Sequence, residues 1–81
     1  MGKNKTLEMV MSGKQDANIS FNALCRALRE LGFDERIKGS HHIFTREGLD
    51  YQPNLQPDGA KAKAYQVKQI RDNLKKANLG E

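Results

Sequence analysis

Residues 32–46 read GFDERIKGSHHIFTR, and this segment carries the clearest signals of the fold. Gly32 is a typical helix-terminating residue. Residues 33–37 then form a strand in which every second side chain lies on the same face. Gly39-Ser40 supplies a turn or bulge, and His41 to Arg46 forms a second strand that Glu47-Gly48 closes. The stretch therefore predicts a helix end followed by two strands joined by a tight turn.

A helix is predicted immediately before this stretch. Ser20 is a suitable N-cap, and apolar residues recur at helical spacing at Phe21, Leu24, Leu28 and Leu31. Gly32 occupies the place of a left-handed C-terminal cap.

The sequence after residue 46 predicts one more strand and one more helix. Leu49 to Leu55 forms a third strand, which Pro53 restricts to an edge or interrupts. Pro57-Asp58-Gly59 predicts a turn, because proline fixes one dihedral angle and glycine permits a positive φ. A last helix from about Ala64 to Ala77 carries an apolar stripe and, about 100° around the helix, a basic one. The apolar stripe comprises Val67, Ile70, Leu74 and Ala77, and the basic stripe Lys68, Arg71 and Lys75.

A short additional helix is predicted near the N-terminus, capped by Thr6 and ended by Gly13, with a polar connection from Ser12 to Ile19. The element order predicts an α+β fold with a small three-stranded antiparallel sheet and helices on one face, the α-β-β-β-α plan of double-stranded-RNA-binding-like domains. We expect a single domain over residues 1–81, with a core of about 20–79 and an N-terminal helical extension at 1–19.

Composition narrows the class of protein. The 81 residues suffice for one domain with a thin core and leave no room for separate cofactor and substrate domains. The formal charge of +4 favours polyanionic partners, although many unrelated small proteins share such a surplus. No apolar run approaches the roughly 20 residues of a membrane span. We expect a cytoplasmic protein that does not contact membranes.

The single cysteine, Cys25, excludes an intramolecular disulfide. It falls among the apolar positions of the predicted helix, which favours a buried small hydrophobic residue. The alternative is a nucleophile, which would need an accessible and electropositive setting.

His41 and His42 are the only histidines, and they begin the second strand. Imidazole is suited to proton transfer near neutral pH and could take the proton of an RNA 2′-hydroxyl or return one to the leaving 5′-oxygen. Alternation places the two side chains on opposite faces, and the sequence leaves open which faces solvent, because each face also carries an apolar residue.

Residues around the histidines would serve a phosphate site. Gly39 allows close approach, Ser40 offers a hydroxyl and a backbone N–H, and the basic side chains Arg36, Lys38 and Arg46 would hold a phosphodiester. The alternative is that the histidines are ordinary strand residues. A metal site is disfavoured, because adjacent strand residues diverge and the sequence shows no further ligands nearby. The basic stripe of the last helix is either a solvated face or a phosphate-contacting one.

Three segments resemble the HicA toxin family of bacterial and archaeal toxin–antitoxin systems. Leu28 to Phe33 resembles its leucine-rich helix ending in Gly-Phe, and Lys38 to Phe44 its Gly-Ser-His motif followed by apolar and aromatic positions. Lys76 to Leu79 resembles the end of its closing helix. The likeness spans about Phe21 to Leu79. The segment from residue 54 to 63 is longer than is usual in the family, and the N-terminal helix is extra, which indicates a subgroup.

The resemblance implies a ribonuclease that needs no metal or small-molecule cofactor, cleaves mRNA and is inhibited by a HicB-type antitoxin protein. It assigns the catalytic role to His41, with Gly39, Ser40 and His42 as supporting residues. The residues expected to bind RNA are Arg36, Lys38, Arg46, Lys68 and Arg71. Two rival interpretations are a non-catalytic RNA-binding module and a protein-interaction module with an incidental basic face.

Overall fold

The computed structural model describes residues 5–79. The elements in chain order are α1 (Lys5–Ser12), a 3-10 helix (Asp16–Asn18), α2 (Phe21–Glu30), β1 (Asp34–Lys38), β2 (His41–Thr45), β3 (Asn54–Leu55), β4 (Pro57–Asp58), β5 (Lys61–Ala62) and α3 (Ala64–Lys76). This is the α+β arrangement expected from the sequence, with one hairpin in addition.

Helix α2 begins and ends where its sequence predicts. The Ser20 side chain accepts a hydrogen bond from the backbone N–H of Ala23 at 3.3 Å, as an N-cap does. Gly32 has a φ of +95°, and the backbone N–H of Phe33 donates to the carbonyl of Leu28 at 3.1 Å. These are the features of a Schellman motif, and they turn the chain from the helix directly into β1.

The main sheet has the order β1-β2-β3, and both pairings are antiparallel. Lys38 lies opposite His41 across the turn, and Glu35 lies opposite Phe44. Gly39 has a φ of +63°, which a type II′ hairpin turn requires at its first central residue. Among the strands of residues 5–79, β1 pairs with β2 alone and therefore forms one edge of the sheet.

The third strand is much shorter than predicted. Only Asn54–Leu55 pairs with β2, so the expected strand from Leu49 to Leu55 is wrong in extent. Pro53 has no N–H to extend the ladder, although its carbonyl accepts a hydrogen bond from the Phe44 N–H at 2.8 Å.

A second, two-stranded sheet formed by β4 and β5 was not predicted. Pro57-Asp58-Gly59 is not itself the turn: β4 ends at Asp58, and the chain reverses at Gly59 and Ala60. This hairpin is held against the start of α2, because the Phe21 N–H donates to the Ala60 carbonyl at 3.0 Å. The Ala62 N–H similarly donates to the Ile19 carbonyl at 2.8 Å.

The core lies between the helices and the inner face of the main sheet. The predicted apolar stripe of α3 is confirmed for Val67, Ile70 and Leu74, which are fully buried. These three share one cluster with Phe44 and Leu55 of the sheet. The fourth member of the stripe, Ala77, lies just after the helix and is half-buried. Within residues 5–79, no helix is long and apolar enough to cross a membrane.

The N-terminal segment belongs to this core as well. Thr6 lies inside α1 and therefore does not cap it, whereas Gly13, with a φ of +75°, follows the helix as expected. Val10 of α1 is 0% exposed and Ile19 is 1% exposed, and both belong to the central cluster. Residues 5–19 thus contribute to the hydrophobic core, and α1 packs against both α2 and α3.

Candidate functional site

The two histidines face opposite sides of β2, and the structure decides which is outside. Phe44 is fully buried, so His42, which shares its face, points inward. His41 is exposed on the outer face of the sheet, which it shares with the half-buried Ile43 and the exposed Thr45. An exposed imidazole on an uncovered sheet face is accessible to a large substrate such as RNA.

The ring of His41 is oriented by an amide from the neighbouring strand. Its Nδ1 lies 2.9 Å from Oδ1 of Asn54. Because a carbonyl oxygen only accepts, this contact is a hydrogen bond when Nδ1 carries the proton. In the neutral ring, Nε2 is then left with its lone pair, and within residues 5–79 no hydrogen bond engages that nitrogen. The outer nitrogen can accept a proton or, once protonated, donate one.

The backbone of Asn54 is in turn hydrogen-bonded to a side chain of α3. Gln66, which is only 6% exposed, donates from Nε2 to the Asn54 carbonyl at 3.4 Å. Its Oε1 accepts from the backbone N–H of Gln56, also at 3.4 Å, and the Gln56 side chain donates to the Ser40 hydroxyl at 3.0 Å. One buried amide thus braces both Asn54, which contacts His41, and Gln56, which follows β3 and contacts the adjacent turn.

Sequence reasoning did not find these three amides. Asn54, Gln56 and Gln66 are polar residues without a motif, and their roles depend on the pairing of β3 with β2 and on the docking of α3. The sequence did predict a third strand beside the histidines. With the register of that strand, it would also have placed Asn54 opposite Ile43.

The contacts of His42 indicate that it stabilises the fold. Its ring meets the ring of Phe21 edge-on, with the centroids 4.9 Å apart, and its Nδ1 lies 2.6 Å from Oε2 of Glu35. Glu35 also forms an ion pair with Arg29. Burial raises the pKa of the Glu35 carboxyl, but the hydrogen bonds from His42 and Arg29 outweigh this, and its pKa lies below the ordinary value. These contacts fasten the sheet to α2.

Cys25 adjoins this group, and it could supply a ligand to a metal ion. One ligand atom each from Cys25, Glu35 and His42 lies within 4.8 Å of the others. Burial, and then the nearby Glu35 charge, raise the pKa of the Cys25 thiol to about 11, so without a metal ion the thiol is protonated. The Glu35 carboxylate is also already engaged by Arg29 and His42. The contacts made by these residues favour the buried structural role expected for Cys25.

Two of the predicted basic residues lie beside His41. Lys38 is directly opposite it in the register, and Arg36, two residues earlier on the same face, is opposite Ile43. Both side chains are exposed. Lys38 and Arg36 therefore place positive charge beside His41. The exposed turn residues Gly39 and Ser40 offer accessible backbone next to it.

The other three basic residues lie elsewhere. Arg46 follows the opposite end of β2, and its guanidinium lies over Gly32. Lys68 is exposed on α3 and pairs with Asp72 at 3.8 Å. Arg71 donates to the Val10 carbonyl at 3.1 Å and to Asp16 at 2.8 Å, so its guanidinium ties α3 to the N-terminal segment. The structure thus brings together only part of the predicted set.

Comparison with known proteins gives the family. Neither the curated proteins nor the solved structures gave a match to this chain. A family model described as "HicA toxin of bacterial toxin-antitoxin" matches residues 21–79, which is well over half of the chain. The matched range includes His41, Asn54 and the whole of both sheets. The chain therefore belongs to the HicA family of toxins of bacterial toxin–antitoxin systems.

Proposed function

We propose that this toxin is a metal-independent endoribonuclease that cleaves mRNA and thereby inhibits translation, with His41 as general acid or base. The observation that carries the proposal is the exposed His41 ring, whose Nδ1 is held by Asn54 so that Nε2 is available to substrate. The family membership supports the toxin role, and the imidazole supports the chemistry.

The cleavage step uses a nucleophile that RNA itself provides. The 2′-oxygen attacks the adjacent phosphorus, a P–O2′ bond forms, and the P–O5′ bond breaks. Nε2 of His41 either takes the 2′-hydroxyl proton or, when protonated, donates a proton to the leaving 5′-oxygen. The products are a 2′,3′-cyclic phosphate and a 5′-hydroxyl, and general acid or base catalysis contributes typically 10²–10⁴-fold.

Positive charge next to His41 supports the same step. Negative charge grows on the phosphate oxygens as phosphorus becomes five-coordinate, and cations fixed in advance stabilise it. Lys38 lies opposite His41, and Arg36 follows on the same face. A Cβ at Gly39 would meet no atom within 4 Å, so the backbone of the turn is open to a phosphate. We assign Arg36 and Lys38 the principal phosphate contacts, with weaker roles for Arg46 and Lys68. We assign none to Arg71, because Val10 and Asp16 engage its guanidinium.

The proposal includes its biological setting. The substrate is mRNA, the inhibitor is a HicB-type antitoxin, and the site of action is the cytoplasm, where translation occurs. An antitoxin that covers the outer face of the sheet would block access to His41.

Regulated expression in a bacterial host tests the proposal. Wild type, His41→Ala and His42→Ala are induced in parallel while growth and mRNA integrity are followed. We expect wild type to arrest growth and destroy mRNA, and His41→Ala to do neither while still melting cooperatively and binding its antitoxin. The exposed position of His41 makes this substitution mild for the fold.

Two results would contradict the proposal. If His41→Ala arrests growth while His42→Ala does not, the catalytic assignment belongs to His42. If purified wild type binds RNA in a salt-dependent manner but leaves it intact, with or without EDTA, the non-catalytic RNA-binding interpretation replaces the ribonuclease.

A further inference from the structure

A cavity opens on the outer face of the sheet beside His41. It has a volume of about 480 Å³, within the range of small-molecule sites, which starts near 300 Å³. Its lining residues are Asp34, Glu35, Arg36, Ile43, Thr45 and Gln52. Of these residues, the catalytic proposal uses only Arg36.

The cavity lies on the same face of β2 as His41, next to it along the strand. Ile43 is two residues after His41 on the same face of β2, a separation of roughly 7 Å at the rise of an extended strand. Arg36 lies opposite Ile43, lines the cavity and is also one of the two residues to which we assign the phosphate contacts. A nucleotide whose phosphate lies at His41 can therefore place its base over Ile43.

The lining is suited to a base and unsuited to a second phosphate. Ile43 offers an apolar floor, and a guanidinium such as that of Arg36 provides a plane on which bases stack. The Asp34 carboxylate would repel a phosphate, but it can accept hydrogen bonds from a base edge. Within residues 5–79, no hydrogen bond or ion pair engages the side chains of Asp34, Arg36 or Gln52.

We propose that this cavity binds the base of the nucleotide next to the scissile phosphate, with a preference for guanine. Guanine presents two adjacent donors, N1–H and N2–H, which the two oxygens of Asp34 can accept together. Uracil and cytosine lack that pair of donors. Gln52 and Thr45 lie on the same lining and supply the remaining polar contacts. The inference rests on the proposed function, because it takes the phosphate to lie at His41.

Binding measured without cleavage tests the inference. The His41→Ala protein is titrated with two hexanucleotides, oligouridine and the same chain with one guanosine, by calorimetry and by NMR of the Ile43 methyl groups. We expect about tenfold tighter binding of the guanosine-containing RNA, the typical scale for one bidentate contact, and a shift of the Ile43 resonances. Adding Asp34→Asn should abolish the preference, whereas Asp50→Asn, an exposed substitution outside the cavity, should retain it.

Equal affinity for the two RNAs, or a guanosine preference that survives Asp34→Asn, would overturn the inference. Cleavage by the His41-containing protein is followed separately with the same RNAs. RNA cleavage without guanosine preference would refute the base site alone. Preference without cleavage would support the base site while refuting the ribonuclease.

Discussion

Removal of the Asn54 side chain should slow cleavage by a modest and calculable factor. Asn54→Ala deletes the acceptor that holds Nδ1 of His41 at 2.9 Å. Both side chains are exposed, so the net value of the hydrogen bond is about 0.5–1.5 kcal/mol. If this entire free energy serves to orient the ring for proton transfer, the rate of cleavage falls by about 2- to 13-fold, because 1.36 kcal/mol corresponds to a tenfold change in rate. His41→Ala should cost about 10²–10⁴-fold, since it removes the acid or base itself.

Two measurements check this prediction. The first is the initial rate of cleavage of a single-stranded RNA by purified wild type and Asn54→Ala. The second is a long-range ¹H–¹⁵N NMR spectrum, which reports the histidine tautomer without any substrate. We expect the neutral His41 ring of wild type to carry its proton on Nδ1, and the variant to lose that preference.

Two variants serve as controls. Asn54→Asp keeps an acceptor oxygen and should retain the Nδ1-protonated tautomer, whereas Gln69→Ala removes an exposed amide of α3 and should leave the rate unchanged. An Asn54→Ala protein that melts like wild type, cleaves at the wild-type rate and keeps the tautomer would refute the orienting role. A loss as large as that of His41→Ala would also refute it, because one exposed hydrogen bond cannot account for such a factor.

Three further predictions concern the fold around the site. Val10→Ala removes buried apolar volume from α1 and should destabilise the protein by about 2 kcal/mol, lowering the melting temperature by roughly 10 °C in calorimetry. Glu35→Gln should lower the free energy of unfolding most near neutral pH, because the pKa of Glu35 is depressed in the folded state. The difference from wild type should narrow as the pH falls below about 4.5, since protonation of Glu35 removes its ionic contacts in wild type as well. Cys25, buried and with a thiol pKa raised to about 11, should resist a thiol reagent at pH 8 in the folded protein and react fully in denaturant.

Each of these has a result that would contradict it. For α1, the control is Glu8→Ala on the exposed side of the same helix, and equal melting of the two variants would show that Val10 does not support the core. For Glu35, a stability difference that does not change between pH 7 and pH 3 would mean that its charge contributes nothing. Rapid modification of folded Cys25 would show that the thiol is accessible.

Sequence patterns predicted the elements whose signals are local. Helix α2 has a capping serine, a helical apolar period and a terminal glycine between Ser20 and Gly32, and it lies where expected. The hairpin of β1 and β2 was predicted from alternation and from Gly39, whose positive φ confirms the turn. The face on which His41 lies was not predictable, since Ile43 and Phe44 compete for the core and only the complete packing decides between them.

Features that depend on distant contacts escaped prediction. Strands β4 and β5 have two residues each, too few to show a period, and they are stabilised by hydrogen bonds to the residues around Phe21. Arg71 belonged to a stripe expected to face solvent or RNA, yet it contacts Val10 and Asp16, which precede it by more than fifty residues. A helical wheel places such a side chain correctly on its helix but contains no information about the segment that will meet it.

The edge position of β1 affects how the RNA-binding proposal should be tested. A strand with one open edge can pair with the edge of another molecule, and charged side chains are a common means of preventing this aggregation. Four of the five residues of the DERIK strand are charged, among them Arg36 and Lys38. The charges proposed to hold RNA would therefore also keep the free protein soluble. Substituting both by alanine or glutamine would remove two functions together, so glutamate, which keeps a charge on the edge but repels phosphate, is the better replacement when RNA binding alone is to be weakened.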